Sequence, residues 1–353
     1  MIAALWAQQL GAILEAIGRV YLILMFFVFA RFLQEGKNTL VHLMNYWTKG
    51  AILLALITLI GYILALLGWT NECVRIYENY PYFGTVIRAA GLTGGSGMLV
   101  VVLMLPMLWS WYQFRYNKKS LFEPILFGLV LLLTLSKEVV LVVLGMLLID
   151  PLLERWRNWQ KAGLLILTTL FFIAGTHWII LPRKPIQDSY LGGMQYTPEK
   201  VSLYVGSFQL VETTYLELKR ANWLIGWQHP IFGVGPGQFN QALDALKQKN
   251  QYARHLPNYD PHFTWGGAWS ETGALGLLSL LFLWIVCGKC LLKNRNSPHP
   301  AQHVIAVFLL LMLIISTCMD VMNFRQLWLA AAIGLTEGNA KEREPLFFLP
   351  NSP

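Results

Sequence analysis

Long apolar runs separated by short polar connections dominate the chain. A membrane-spanning helix needs about 20 mostly apolar residues, because a backbone group left unsatisfied in hydrocarbon costs several kcal/mol and a helix satisfies its backbone internally. Nine stretches approach this requirement: 11–33, 51–69, 93–113, 121–136, 139–153, 163–182, 269–288, 302–319 and 326–339. The pattern therefore predicts an all-α fold, a polytopic membrane helix bundle with about nine or more spans.

Basic residues cluster in every second connection between these stretches. The clusters are Arg31/Lys37/Lys49, Arg115/Lys118/Lys119, Arg155/Arg157/Lys161, Lys289/Lys293/Arg295 and Lys341/Arg344. An excess of lysine and arginine marks the cytoplasmic side of a membrane protein. We therefore expect these connections in the cytoplasm and the others, with the amino terminus, on the outer side. This orientation leaves two alternatives for the start: residues 1–18 are re-entrant, or a further helix precedes them.

One connection is too long to be a simple turn between helices. Residues 183–268 follow the expected membrane helices of 1–182 and precede those of 269–339, and residues 340–353 are expected to form a cytoplasmic tail. Long connections with structure of their own are usually functional. We therefore expect 183–268 to form a separate outer domain that carries much of the chemistry.

The outer domain contains the start signal of a helix. Thr197-Pro198-Glu199 combines an N-cap residue, a proline at the first helical position and an acidic residue in the first turn. Apolar residues then recur as far as His229-Pro230, where the proline disfavours helical geometry in the residue before it. These signals predict one long helix between them and a mostly helical outer domain.

Composition supports a membrane body and excludes several classes of protein. Of 353 residues, 56% are apolar and 13% charged, whereas a soluble domain has roughly 45–50% and about 25%. An ordinary soluble enzyme and a disordered chain are thereby excluded. The net charge of +8 is spread over small clusters between apolar runs, so it indicates orientation and no nucleic-acid partner. Cys287 and Cys290 form a lone CxxC, too few ligands for structural zinc.

The outer side of the bundle carries the candidate chemistry. Arg88, Lys137, Arg220 and Arg325 are expected at the same membrane surface, beside His262. Cations at the level of lipid headgroups can hold a diphosphate, with arginine as a bidentate clamp and lysine as a point charge. The imidazole can accept a proton from an attacking hydroxyl near neutral pH. Such an assembly is typical of glycan transfer from a lipid diphosphate, with the cations stabilising the departing diphosphate.

Several of these residues have a purely structural alternative. Arg220 taken alone favours a solvated or snorkelling arginine, as most arginines are. Lys137 and Glu138 interrupt an apolar stretch, so they face protein or a cavity, or they form an exposed turn at the outer surface. His262 alone would be an ordinary structural histidine.

The glycines of the segment 229–239 invite comparison with a phosphate-binding loop. Gly233, Gly235 and Gly237 follow no predicted strand, and Pro236 removes one of the backbone donors that such a loop would offer. A dinucleotide site is therefore excluded. We expect a tight turn that lets backbone approach a ligand or another helix.

Two segments of the chain resemble the O-antigen ligase and Wzy polymerase superfamily of bacterial membrane glycosyltransferases. Residues 220–239, RANWLIGWQHPIFGVGPGQF, are similar to that family's arginine followed by a His-Pro-hydrophobic-hydrophobic-Gly-Val-Gly block. His262 with Glu271-Thr-Gly-Ala-Leu-Gly276 is similar to the family's histidine followed by Glu-Thr-Gly-x-x-Gly at a helix start. Arg88-Ala-Ala-Gly91 and Leu135-Ser136-Lys137 are weaker similarities, and the resemblance covers about residues 85–340.

The resemblance implies a GT-C-like multi-pass protein of the bacterial inner membrane, with the active site facing the periplasm. Arg220, Lys137 and Arg88 would bind the donor diphosphate, and His262 would be the catalytic base or orient the acceptor hydroxyl. Further candidates for the site are Arg325, Glu271 and His229. The implied reaction is inverting and uses no metal or cofactor. The implied partners are an undecaprenyl-diphosphate-linked glycan, an acceptor lipid or glycan, and membrane lipids.

This chain departs from the family pattern at two positions. Lys137 stands where the family usually has arginine, which keeps the charge and loses the bidentate fork, and Phe263 stands where a small polar residue is common. A ligase and a repeat-unit polymerase share the same pattern, so both products stay open. A transporter of small anions or glycans and an inactive scaffold of a polysaccharide-assembly complex are the remaining alternatives.

Overall fold

The computed structural model describes residues 10–34, 39–80, 83–150, 156–183, 190–191, 194–195, 201–254, 258–294 and 300–336. Eleven helices account for most of these residues. In chain order they are α1 (Leu10–Gln34), α2 (Thr39–Leu66), α3 (Ser96–Asn117), α4 (Phe122–Leu133), α5 (Val139–Ile149), α6 (Asn158–His177), α7 (Thr214–Gln228), α8 (Phe239–Gln248), α9 (Thr264–Asn294), α10 (Pro300–Ser316) and α11 (Arg325–Thr336).

The apolar stretches of the sequence coincide with helices. Every one of the nine overlaps one helix, α1 to α6 or α9 to α11. Helices α1, α2, α3, α6 and α9 are long and apolar enough to cross a membrane, and α4, α5 and α10 are shorter apolar helices. The expectation of a helical membrane protein is thus confirmed at this level, with five candidate spans among the described residues.

Helix α2 extends well beyond its apolar stretch. It begins at Thr39, whereas the stretch begins at residue 51. The first turns carry polar residues whose hydroxyl or amide groups find partners inside the bundle. The Thr48 hydroxyl donates to the Met44 carbonyl at 2.9 Å, and the Asn45 side-chain oxygen accepts from Trp109 Nε1 at 3.1 Å. Apolarity alone could not locate this polar extension.

The core of the bundle forms around α3 and α10. Phe127, Leu105 and Phe308 are buried in it. Helices α1, α2 and α6 are different, because they expose large apolar side chains such as Phe27 and Leu167. Apolar surface of this extent on a soluble monomer would be an aggregation hazard, whereas lipid covers it at no cost. Burial thus places α3 and α10 at the centre and α1, α2 and α6 at the lipid-facing periphery.

Three small antiparallel sheets correct the all-α expectation. Strands β1 (Val74–Tyr80) and β2 (Gly84–Ala89) form a hairpin between α2 and α3. Further along the chain, five strands form two sheets, β3-β7-β6 and β4-β5: β3 (Trp178–Pro182), β4 (Tyr190–Leu191), β5 (Met194–Gln195), β6 (Val201–Val205) and β7 (Phe208–Glu212). Strand β3 occupies the end of the apolar stretch 163–182.

The expectation of one long helix within residues 183–268 is wrong over its first part. Residues 201–212 form the hairpin of β6 and β7, which turns at Gly206 with φ +57. The helix begins only at Thr214, with Thr213 in extended backbone before it. Tertiary pairing with β3 overrides the apolar spacing that favoured a helix. Thr197-Pro198-Glu199 and the tail 340–353 lie outside the described residues.

Contacts between distant segments define two ends of the bundle. At the start of α3, Gly97 adjoins Glu138 and Met319, so we call this the upper end. At the other end of α3, Arg115 Nε forms an ion pair with Asp150 Oδ2 at 2.8 Å, and this is the lower end. The β1-β2 hairpin, the break between α4 and α5, and the corner between α10 and α11 therefore share the upper end.

Replacing Phe308 with alanine tests the assigned core. The side chain is fully buried on α10, so Phe308→Ala should destabilise the bundle by about 3–5 kcal/mol through lost contacts and a cavity. The measurement is the thermal unfolding midpoint of the purified protein in detergent. Phe282→Ala on α9 is the matched control, because Phe282 is 68% exposed. Equal shifts in both variants would contradict the assignment of α10 to the core.

Candidate functional site

The candidate site lies at the upper end, where five segments meet. It combines the break between α4 and α5, the end of α6, helix α7, the segment 258–263 and the corner between α10 and α11. We call its central residues the lysine–histidine cluster: Lys137, His177, Tyr215, Lys219 and His262. Each comes from a sequence segment that is distant from most of the others, so only the fold brings them together.

His262 is held between two aromatic rings in an unusual backbone conformation. Its ring centroid lies 5.5 Å from that of Tyr215 and 5.4 Å from that of Tyr259. Its φ of +56° is in the left-handed region, which costs a residue with a side chain roughly 1–2 kcal/mol. The buried Phe263 next to it anchors the segment. Strain of this kind is commonly retained at functional sites.

Electrostatics keep the His262 imidazole neutral near pH 7. Burial lowers the pKa of His262 below its ordinary 6.5, and the positive charge of Lys137 lowers it further. The negative charges of Asp260 and Asp320 oppose this change. A neutral imidazole has a free lone pair, so it can accept a proton at physiological pH.

Lys137 connects the break between α4 and α5 to the histidine. Its Nζ lies 5.1 Å from the centre of the Tyr215 ring, which contacts His262, and 3.6 Å from Glu138 Oε1. Glu138 is only 4% exposed, and its carboxylate also accepts a hydrogen bond from the Ser136 hydroxyl. The alternative of an exposed Lys137–Glu138 turn is therefore wrong for Glu138, which is buried, whereas the Lys137 side chain keeps 31% of its surface exposed.

Lys219 is a site residue that the sequence patterns did not single out. Its Nζ donates to the Thr317 carbonyl at 2.6 Å and lies 4.9 Å from the centre of the Phe263 ring. Burial lowers the pKa of Lys219 from its ordinary 10.5. Lys219 follows Tyr215 by four residues, which places both on the same face of α7. The spacing would have identified it once the start of α7 at Thr214 was known.

Arg220 faces away from the cluster. It is one residue beyond Lys219 and therefore about 100° further around α7. Its side chain is 57% exposed, and its guanidinium is 2.7 Å from Glu217 Oε1 and 3.1 Å from Glu212 Oε2. A diphosphate would have to displace these carboxylates to reach it. The geometry thus brings Lys219, and not Arg220, into contact with the segment that carries His262.

Arg88 fastens the β1-β2 hairpin to the end of α4. Its Nε donates to the Thr134 carbonyl at 2.8 Å, and its guanidinium carbon lies 5.4 Å from the centre of the Tyr77 ring. Thr134 is three residues before Lys137, so Arg88 stands beside the cluster at its rim. A cation at the carboxyl end of a helix is favoured by the exposed carbonyls there. Arg325, by comparison, is the exposed first residue of α11.

Glu271 ties the site to α1. Arg19, which lies inside the first apolar stretch, donates to Glu271 Oε2 at 2.9 Å and is 3.5 Å from Glu15 Oε1. The backbone N–H of Gly237 also donates to the Glu271 carboxylate. The sequence patterns missed Arg19, although a basic residue within an apolar run is itself a signal. The ion pair and the Gly237 bond join α1, α9 and the segment 229–239, which we call the glycine turn, in one network.

The glycine turn binds a break in helix α9. Three backbone hydrogen bonds join them: Val234 N–H to Ser270 O at 2.9 Å, Gly235 N–H to Glu271 O at 2.9 Å, and Ala274 N–H to Pro230 O at 2.8 Å. At Gly273, φ is +63° and ψ −156°, which is essentially a glycine-only conformation. The expectation of a turn that lets backbone approach another helix is confirmed.

His229 follows the last residue of α7 and has an exposed side chain. Its carbonyl accepts a hydrogen bond from the Gly233 N–H at 3.0 Å.

Helix α7 is positioned from its other end by α6. The Thr213 N–H donates to the His177 carbonyl at 2.8 Å, and the Thr213 hydroxyl donates to the Thr176 carbonyl at 2.7 Å. The imidazole of His177 contacts the Ile173 carbonyl through Nδ1 at 2.7 Å. These bonds set the start of α7 at the end of a candidate span. They therefore place Tyr215 and Lys219 just beyond the end of that candidate span.

Comparison of the sequence with family models and with curated proteins gave no match. The resemblance to the O-antigen ligase and polymerase superfamily therefore rests on the residues quoted above. The structure adds the spatial arrangement of those residues, which is independent of any relative.

Gly233→Ala tests the backbone contact of the glycine turn. Gly233 has φ +66°, and a Cβ there would collide with the backbone of Glu271 and Thr272. The left-handed conformation costs about 1–2 kcal/mol for alanine, and the collision adds to it, so the thermal midpoint should fall markedly. Gly206→Ala is the control, because Gly206 has φ +57° but open space around its Cα. A loss in Gly233→Ala no larger than the control would show that the turn is not held against α9.

Asp260→Asn tests the electrostatic account of His262. Removing a negative charge that favours the imidazolium should lower the pKa of His262 further. The measurement is NMR titration of the protein with ¹³C-labelled histidine rings in detergent, with His262→Gln to assign the signal. Glu72→Gln is the control, since the Glu72 side chain is 89% exposed on a different segment. A His262 pKa that stays unchanged or rises in Asp260→Asn would contradict this account.

Proposed function

We propose that this chain is a membrane glycosyltransferase of the O-antigen ligase type, acting in cell-surface polysaccharide biosynthesis. It would transfer a glycan from an undecaprenyl diphosphate donor to an acceptor lipid or glycan. The observation that carries the proposal is the contact series of Lys137, Tyr215 and His262, in which one aromatic ring touches both a cation and a neutral imidazole. A phosphate-binding charge and a proton acceptor are the two groups that this transfer needs.

The reaction follows from the chemistry of these groups. The acceptor hydroxyl attacks the anomeric carbon of the donor sugar, and its proton passes to the His262 imidazole. The bond from that carbon to the diphosphate oxygen breaks, and the electron pair leaves with the diphosphate. Lys137 and Lys219 stabilise the leaving charge, while attack from the opposite face inverts the anomeric centre. The proton on His262 then returns to solvent.

Different cations have different roles in this proposal. Lys137 and Lys219 belong to the lysine–histidine cluster, and we propose that both contact the diphosphate directly. Arg88 at the rim stabilises an approaching headgroup. Arg220 can bind the diphosphate only if its ion pairs with Glu212 and Glu217 break. We therefore propose that it binds the donor during entry to the site. Arg325, Glu271 and His229 are proposed to act on the surroundings of the site and not on the substrate.

The orientation in the membrane is also part of the proposal. We propose that α1 to α6 and α9 to α11 cross a bacterial inner membrane as nine segments with the upper end in the periplasm. Exposed Lys49, Lys118 and Lys119 lie near the lower end, where Arg115 forms its ion pair. Cations at that end support a cytoplasmic position for it. A lipid-borne donor would then reach the cluster from the outer leaflet.

His262→Ala tests the proposed reaction. The full-length protein in lipid nanodiscs is given an undecaprenyl-diphosphate-linked glycan with either a lipid A core or a second copy of the glycan as acceptor, and release of undecaprenyl diphosphate is measured. Loss of the base should lower kcat about 100-fold or more. Lys219→Gln should raise KM for the donor about tenfold, through loss of a charged contact. Lys249→Gln is the control, because Lys249 is exposed at the end of α8.

The outcomes separate the alternatives. Transfer to the lipid A core identifies a ligase, and transfer to the second glycan identifies a polymerase. If the wild-type protein consumes no donor, or if His262→Ala is as active as wild type, the proposal is wrong. Glycan flux into vesicles that is unaffected by His262→Ala would instead support a transporter.

A further inference from the structure

A polar cavity lies at the lower end of the bundle, far from the lysine–histidine cluster. It has a volume of about 320 Å³ and lies between α2, α3 and α4. Gln113 in the last turns of α3 and Lys119 just after that helix line it, whereas the start of α3 adjoins Glu138 at the upper end. The 22 residues of α3 separate the two places by roughly 30 Å. The cavity is therefore a separate place in the fold, and its volume is in the range of small-molecule sites.

Two amide side chains, Asn45 and Gln113, line the cavity. The side-chain oxygen of Asn45 accepts from Trp109 Nε1 at 3.1 Å, and that of Gln113 accepts from Asn117 Nδ2 at 2.7 Å. Each amide oxygen thus already has a partner, and each side chain also carries an amide NH₂ group that can donate to a ligand in the cavity. Gln113 is only 5% exposed, so its position is fixed by packing.

The charges of the lining favour an anion. Lys49 and Lys119 contribute two positive charges and Glu123 one negative charge, so the lining is net positive. Lysine ammonium groups and amide N–H donors together are the usual partners of phosphate oxygens. Glu123 disfavours a small multivalent anion and can accept a hydrogen bond from a hydroxyl group. A phosphodiester with a hydroxyl-bearing substituent satisfies both requirements.

The surroundings indicate that this phosphodiester belongs to a lipid. Exposed apolar side chains continue from the cavity along the two neighbouring helices, Leu53 and Ile60 on α2 and Phe122 and Ile125 on α4. Tyr46 at the cavity is 66% exposed, with Lys49 Nζ 5.3 Å from its ring centre. Tyrosine and lysine in this combination are typical of the headgroup level of a bilayer. Acyl chains can therefore follow α2 and α4 while the headgroup enters the cavity.

We propose that the lower cavity binds the headgroup of an anionic phospholipid of the phosphatidylglycerol type. The phosphate is held by Lys49, Lys119 and the amide N–H groups of Asn45 and Gln113. The glycerol hydroxyls donate to Glu123. This inference does not depend on the function proposed for the upper end.

Native mass spectrometry of the full-length protein in detergent tests the proposal. The protein is incubated with equal amounts of phosphatidylglycerol and phosphatidylcholine, and the retained lipids are counted. We expect wild type to retain phosphatidylglycerol about tenfold better, and the Lys49→Gln/Lys119→Gln variant to lose this preference. Lys49→Arg/Lys119→Arg should keep it, and single Lys119→Gln, at an exposed position, should weaken it.

The matched control removes the same charge elsewhere. Lys118→Gln/Lys289→Gln changes two exposed lysines outside the cavity lining and should retain the preference. Equal retention of both lipids by wild type, or equal loss in the control variant, would overturn the proposal. Displacement of phosphatidylglycerol by millimolar inorganic phosphate would also overturn it, because the site would then take a soluble anion. This experiment measures lipid retention and not glycosyl transfer. A failure of the lipid-binding proposal is therefore distinguishable from a failure of the proposed glycosyltransferase function.

Discussion

The close approach of two backbones determines where the functional groups of the upper end lie. The glycine turn after α7 is hydrogen-bonded to a break in α9, and neither side tolerates a Cβ at the contact, as Gly233 and Gly273 show. The turn fixes the end of α7, and the break lies on the helix that follows His262. The distance between Tyr215 on α7 and His262 before α9 therefore depends on this contact together with the Thr213 bonds that fix the start of α7.

Burial and charge act together on the residues that this geometry assembles. The cluster contains two lysines and two histidines, and the nearest carboxylates that raise the pKa of His262 are Asp260 and Asp320. Burial of Lys219 costs energy that its bond to the Thr317 carbonyl partly offsets. An anion entering between Lys137 and Lys219 would reduce this cost. Such an anion would share Lys137 with Glu138, whose Oε1 lies 3.6 Å from the lysine Nζ.

The sequence predicted the helical frame better than the site. Each of the nine apolar runs overlaps a helix among the described residues, because a long apolar run has few alternatives in a folded chain. The strands at 201–212 were missed because a helix start signal and apolar residues preceded them, while the pairing with β3 is a long-range contact that no local pattern contains. The sequence patterns identified Arg220 and missed its neighbour Lys219. Adjacent residues point in directions about 100° apart around a helix, so the exact register of α7 determines which of the two faces the cluster. Arg19 and Glu271 are 252 positions apart, so only the fold reveals their ion pair.

The shortness of α4 has a consequence for the surrounding bilayer. With 12 residues it is about 18 Å long, against roughly 30 Å of hydrocarbon, and its outward side chains are apolar, among them Ile125 and Leu132. A hydrophobic mismatch of this size is relieved when the membrane thins beside the helix. Headgroups of both leaflets would then sink toward the protein at the two termini of α4. One terminus adjoins Lys137 and the other Glu123, so local thinning would deliver lipid phosphates to both polar regions of the molecule.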